Sequence, residues 1–322
     1  MKEEILHIPT PFGEPLILYK NRWGPIGGPT LSIVSGLQGD RLNGVMVASH
    51  LARFLNDVEE GRETGTKICG AIQIFPIINY KAWETGNPVW NFDSQDVDLA
   101  FPGTEAGELT ETICNTVIRH TADSDYGIIL QSGEKHYEDA PHVKLITSNR
   151  RRRQLARHLG LPIGREMADS PVRVLTLARQ WDLMSLDAFI LSAGKPHSYH
   201  AQYCDLLLDG ILNFMSAEGF LNRRREKVRP REMAFYHATN ECPVLTREAG
   251  LFYAESVIGT TVTQGQKLGE VRDLYQGKTL ETVTAPEDGY VVTLRENPMV
   301  HEKECVAVLL REKNQKWFWP FG

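Results

Sequence analysis

Residues 31–55, LSIVSGLQGDRLNGVMVASHLARFL, constrain the fold more than any other stretch of the chain. The first six form an apolar run that ends in Gly36, and from Leu42 the apolar positions 45, 46, 48, 51, 52 and 55 recur at helical spacing. This is strand, tight polar turn, helix. The turn from Gly36 to Arg41 then falls at the carboxyl end of a parallel strand, where open α/β sheets place their ligands. Any chemistry is expected to start at this corner.

The same alternation continues over the first two thirds of the chain. After an extended N-terminal segment and a Gly/Pro turn at 24–29, a buried strand is expected over 67–79, running to Pro76. Residues 80–107 lack periodicity and are rich in Gly, Pro, Asn, Asp and Trp, which predicts a long irregular loop of the kind that is usually functional. Helices are expected over 108–121, 150–159 and 172–183, strands over 126–130, 143–147 and 187–191, and a strongly amphipathic helix through Tyr203, Leu207, Ile211 and Met215. Strands alternating with helices predict an α/β domain, a mixed but mostly parallel sheet with helices on both faces, over residues 1–225. Near Leu221 the character changes to a charged linker, LNRRREKVRPRE. Short alternating runs broken by Gly and Pro follow, predicting a small all-β, barrel-like domain over 226–322. Two of its phrases, VTQGQ and APEDGY, resemble turns of biotinyl/lipoyl-type barrels. No lysine stands at a hairpin tip, so a structural barrel is expected rather than a carrier.

Composition narrows the function classes. A formal charge of −6 gives no electrostatic reason to expect nucleic acid. No apolar run approaches the roughly 20 residues that cross a bilayer, and the acidic start MKEEILHIPT is unlike a signal peptide. The five cysteines are widely spaced without a Cys-x-x-Cys, which indicates neither a disulfide framework nor a thiolate zinc site. The cytoplasm is the default location.

The leader TPFGEPLILY, the turn GLQGDRLNG, and the phrases FPIINYKAW, DVDLAFPG and ILQSGEK, followed by the C-terminal barrel, resemble the succinylglutamate desuccinylase/aspartoacylase family, relatives of zinc carboxypeptidases. The resemblance runs over nearly the whole chain. It implies a zinc-carboxypeptidase-like fold and a zinc-dependent amide hydrolase. In that family a His and a Glu of the first turn bind zinc together with a His at a later strand end. A Glu further on is the general base, and an Asn-Arg pair before Phe-Pro-Gly holds the substrate carboxylate.

At these positions the chain has other chemistry. The zinc positions correspond to Gln38, Arg41 and Gln131, the Asn-Arg pair to Asp98 and Leu99, and the base to Ser192 or its immediate neighbourhood. Gly36, Gly39, Asp40, Asn43, Gly44 and Phe101-Pro102-Gly103 match. Backbone-shaping residues are kept and ligands are replaced. Zinc takes donors with a free lone pair at about 2.0–2.3 Å, usually His, Cys, Asp or Glu. A glutamine offers only a neutral amide oxygen, and a guanidinium offers no lone pair and repels a dication. Serine needs an activating partner to act as base or nucleophile. The expectation is therefore no cofactor, with zinc called for by the family but its ligands absent.

Histidines are dense in the loops around the same corner. His136 and His142 follow Gln131, and His197 and His200 follow Ser192; they can make ordinary polar contacts, receive an anion, or build a new metal site, with Asp40, Asp98 and Glu134 as the available carboxylates. If the helix has begun by then, His197 and His200 share a face. The arginines at 150–153 and 157, and at 223–225, 229 and 231, read as a solvated helix face and a linker. Trp83, Trp90 and Phe92 serve as a lid or as anchors.

Three readings follow. In the first, a non-hydrolytic relative binds a small amino-acid-like or anionic ligand, or a protein partner, through Gln38, Asp40, Arg41, Asp98, Gln131, Glu134, His197 and His200. The second is an enzyme with a rebuilt site, using metal through the histidine loops or working metal-free through Arg41, Asp98 and Ser192. The third is a structural subunit of a larger assembly.

Overall fold

In the computed structural model, residues 1–11, 13–90, 92–168, 170–223 and 232–311 are described. The chain opens with the antiparallel pair β1 (Lys2–Ile8) and β2 (Leu16–Trp23), then β3 (Thr30–Val34) and α1 (Leu42–Glu59). The expected strand over 67–79 is divided into β4 (Thr66–Ile68) and β5 (Ala71–Phe75). Between them Cys69 and Gly70 give their N–H groups to the Phe220 carbonyl. The region 80–107 is not wholly irregular: it contains α2 (Tyr80–Thr85), which the Asn79 side chain caps by accepting from Ala82 N, and a 3-10 turn at Val97–Leu99.

Next come α3 (Leu109–Thr121), β6 (Tyr126–Gln131), β7 (Tyr137–Leu145), α4 (Arg150–Arg157) and β8 (Ile163–Glu166). The helix expected over 172–183 is a 3-10 turn at Pro171–Leu175 and then α5 (Leu177–Leu183). Thr176 separates them by capping the second piece through Arg179 N. β9 (Asp187–Gly194) and α6 (Ala201–Ala217) follow.

The parallel strands β5, β3, β6 and β9 form the centre of a large mixed sheet, continued by antiparallel β7 on one side and by β2 and β1 on the other. Successive residues of a strand face opposite sides, and the core divides accordingly. Leu31, Ile33, Ile128, Leu130 and Leu191 pack with α1 and α6 through Val47, Leu51, Leu207 and Ile211. Val34, Ile129 and Ile190 pack with α3 and α5 through Ile113, Val117, Leu177 and Trp181. A Cβ on Gly44 would lie 2.5 Å from the Leu130 carbonyl oxygen, so only glycine lets α1 press this closely on β6. Helices therefore cover both faces, as the alternation of elements predicts.

Beyond α6 the elements among the described residues are strands, apart from a 3-10 turn at Ala238–Asn240: β10 (Leu221–Arg223), β11 (Ala234–His237), β12 (Glu241–Leu245), β13 (Gly250–Ala254), β14 (Thr261–Val262), β15 (Lys267–Arg272), β16 (Thr279–Thr284), β17 (Gly289–Arg295), β18 (Met299–Val300) and β19 (Cys305–Arg311). The sheet β16-β15-β13-β18 and its neighbours enclose a core of Phe252, Leu268, Val271, Val291, Val306 and Leu309. Yet β17 pairs with β7, placing Thr293 opposite Asp139, so β17, β19 and β12 prolong the large sheet. The expected boundary at 225/226, and most of the charged linker around it, lie outside the described residues; within the linker, Leu221–Arg223 pairs with β4.

Candidate functional site

The corner between β3 and α1 is built by glycine. Gly36 leaves the strand with φ 64°, a left-handed conformation that glycine adopts without strain. Gly39 lies against α2 so closely that a Cβ would meet the Ala82 carbonyl carbon at 2.1 Å. Asn43 ties the corner to the end of β9, donating to the Ala193 carbonyl at 3.0 Å and accepting from His200 N at 3.0 Å. His197 N donates to the Asp40 carbonyl at 2.8 Å. Arg41 occupies the N-cap position of α1, makes no side-chain cap, and no acidic residue stands in the first turn. A helix N-terminus already favours negative charge; here a guanidinium is added.

Two glutamines face two carboxylates across this corner. Gln38 donates its Nε2 to Asp96 Oδ1 at 2.9 Å, and Gln131, at the end of β6, donates to Asp98 Oδ2 at 3.4 Å. Leu177 N donates to the other oxygen of Asp98 at 3.1 Å. Burial, and then the charge of Asp96, push the Asp98 carboxyl up to about 7. Arg41 acts in the opposite direction, near enough to be felt by Asp98, although among the described residues no carboxylate is in ion-pair contact with it. Gln38 Oε1 and Asp40 Oδ1 are buried acceptors without a hydrogen-bond partner.

Gln131, Ser192 and His142 are register partners on the adjacent strands β6, β9 and β7 and share one face of the sheet. Ser192 Oγ donates to Asp139 Oδ2 at 2.8 Å; Thr293 Oγ1 donates to Asp139 Oδ1 at 2.7 Å, and Lys144 Nζ stands 3.6 Å from the same carboxylate. Burial alone would raise Asp139, but Lys144 and Arg165 hold it well below the usual carboxylate range. Burial also lowers Lys144, opposed by the charge of Asp139 and reinforced by Arg165 and, more weakly, Arg41. This network was not legible in the sequence, because β7 begins at Tyr137 rather than 143 and turns half of an expected loop into strand.

The histidines do not converge as the loop reading allowed. His142 is a mid-strand residue, fully buried, with Nδ1 at 2.7 Å from the carbonyl of Ala140, two residues before it, and burial pushes it down to about 3. His197 is exposed with φ 55°, and α6 starts only at Ala201, so His197 and His200 do not share a helix face. His200 stays beside Asn43 and stacks on Tyr203. His136, part-buried, lies beside Arg295 and Glu304, and Glu134 is exposed. Among the described residues no three His, Cys, Asp or Glu side chains form a group able to hold a metal ion.

Elsewhere, Arg152 departs from the solvated arginine face: it is buried between Asp182 and Asp187. Trp90 is a fully buried anchor, whereas Trp83 and Phe92 remain exposed. At the three positions that the resemblance assigns to zinc, the side chains are two amides, whose NH2 groups point to Asp96 and Asp98, and one guanidinium. That donor set does not fit a zinc ion.

No family model matches the chain. It is 24% identical over 293 residues to N-alpha-acetyl-L-2,4-diaminobutyric acid deacetylase of Halomonas elongata, covering 88% of this chain and 82% of the relative. The product-bound ectoine utilization protein EutE (DoeB) of Ruegeria pomeroyi superposes with a TM-score of 0.81 at 19% identity, covering 97% of this chain and 95% of that one. A succinylglutamate desuccinylase/aspartoacylase of Rhodobacter sphaeroides gives 0.80 at 17% identity, with 97% and 96% covered. No helix among the described residues is long and apolar enough to cross a membrane. The fold is that of the succinylglutamate desuccinylase/aspartoacylase structures.

Proposed function

We propose that this chain is a member of the succinylglutamate desuccinylase/aspartoacylase family that binds a small amino-acid-like or anionic ligand at the β3–α1 corner and has no zinc-dependent hydrolysis. One observation carries this reading. The two glutamines at zinc positions are hydrogen-bonded to the loop carboxylates Asp96 and Asp98, and the third position is a cation. A dication entering there meets Arg41 at short range, a repulsion of several kcal/mol in a poorly solvated pocket. Without a metal no bound water is acidified. Ser192 does not replace the missing base, since its hydroxyl proton is held by Asp139 and the side chain is fully buried.

In this reading the corner works by recognition. Arg41 and the free N–H groups of the first turn of α1 receive an anionic group, and Asn43 fixes the turn against β9. The name of the Halomonas relative supplies a first compound to assay. Purified protein with added zinc is incubated with N-alpha-acetyl-L-2,4-diaminobutyrate, N-acetylaspartate and N-succinylglutamate, and free amine is followed. No release above buffer is expected; zinc-dependent turnover overturns the reading.

A second reading, an enzyme with a rebuilt metal-free site, is favoured by the Asp98 carboxyl raised to about 7, a value suited to proton transfer near neutral pH. It predicts metal-independent turnover that Asp98→Asn abolishes.

A further inference from the structure

The corner holds opposite charges that do not meet. Arg41 and Asp98 feel each other across the site, yet among the described residues no carboxylate is in ion-pair contact with the guanidinium. Two half-buried groups of opposite charge would be expected to close on each other or to have something between them. On the Arg41 side, α1 brings its N-terminus with no acidic residue in the first turn, so the helix end adds to the positive charge of the guanidinium. The opposite side is rich in acceptors. Asp96 and Asp98 lie together there, with Gln38 Nε2 on Asp96; in the turn that leads into Arg41, Gln38 Oε1 and Asp40 Oδ1 are more than nine-tenths buried with no hydrogen-bond partner. A buried acceptor left unpaired costs about 1–3 kcal/mol, which a donor on a ligand would recover.

We infer that the corner binds a small zwitterion, with its carboxylate on Arg41 at the N-terminus of α1 and its protonated amine among Asp98, Asp40 Oδ1 and Gln38 Oε1. This rests on the proposed ligand-binding role and adds polarity to it. The carboxylate lies at the corner assigned to the metal by resemblance, and the amine faces Asp98, which stands at the asparagine of the family's Asn-Arg pair. An N-acylated amine has no charge and a single N–H, so it satisfies the acceptor side poorly. The ligand is therefore a free amino acid rather than an acylated one.

The test is calorimetric titration of the full chain with the standard amino acids, 4-aminobutyrate and 2,4-diaminobutyrate, each beside its N-acetyl form and, for 4-aminobutyrate, butyrate and butylamine. At least one free amino acid is expected to bind, with its N-acetyl form at least 10-fold weaker. Arg41→Met and Asp98→Asn should each weaken it at least 10-fold while leaving the circular dichroism spectrum unchanged. The inference is overturned if no free amino acid binds, if acylated or acid-only compounds bind as well, or if Arg41→Met binds normally. Those failures are distinct from failure of the proposed function, which appears as amine release from the acylated compounds.

Discussion

Asp98 sets the most testable behaviour at the residue scale. Its folded value, about 7, lies above the ordinary 3.8. Between those values the folded chain keeps a proton that the unfolded chain releases, so stability from this group is present at low pH and is lost as pH rises towards 7. Asp98→Asn keeps an acceptor for Leu177 N and removes that loss. The variant should match the parent below pH 4 and gain about 2 kcal/mol by pH 8, after allowance for partial solvent contact, or roughly 4 °C in Tm. An equal shift at both pH values would contradict the assignment. Ser192→Ala removes a buried hydroxyl from Asp139 and should cost about 1–2 kcal/mol in urea unfolding; no measurable change would show that the hydrogen bond carries little. The identities of Gln38, Arg41, Asp98 and Gln131 were readable from sequence. Their partners were not, because hydrogen bonds such as Gln38 to Asp96 join residues 58 positions apart.

Among the elements, the α1–β6 contact holds the corner in place. Gly44→Ala would set a Cβ 2.5 Å from the Leu130 carbonyl. The helix must shift away, at a cost of about 2–3 kcal/mol, seen as a lower urea midpoint; an unchanged midpoint would mean that α1 is not so closely seated. This part of the fold was legible, since residues 31–55 carry a strand run, glycines at the turn and a helical stripe. Elements whose pattern is weak were not. The first part of β7, YEDAPH, is a polar stretch with proline that precedes the strand expected from 143, and it becomes strand only because β9 and β17 flank it. Its pairing carries Asp139 and His142 out of an expected loop and joins them to Lys144 of the expected strand in one network. α2 and the split at Thr176 were missed for a different reason, since each depends on one capping side chain within a region of low periodicity.

For the whole molecule, the C-terminal strands have a core of their own but are joined to the α/β sheet by β7–β17 pairing, by Thr293 on Asp139 and by Arg165 on Glu241 at 2.9 Å. Buried ties of this kind couple unfolding. Scanning calorimetry of the full chain should show one cooperative transition, and two resolved transitions would contradict the coupling. In the proposed reading, a fold shared with the succinylglutamate desuccinylase/aspartoacylase structures carries amides and a guanidinium at the positions that the resemblance assigns to zinc. The most direct test of that reading is the metal content of the purified protein after dialysis against zinc, measured by plasma mass spectrometry. Far less than one zinc per chain is the predicted result, and one tightly held zinc per chain, lost in Gln38→Ala or Gln131→Ala, would contradict it.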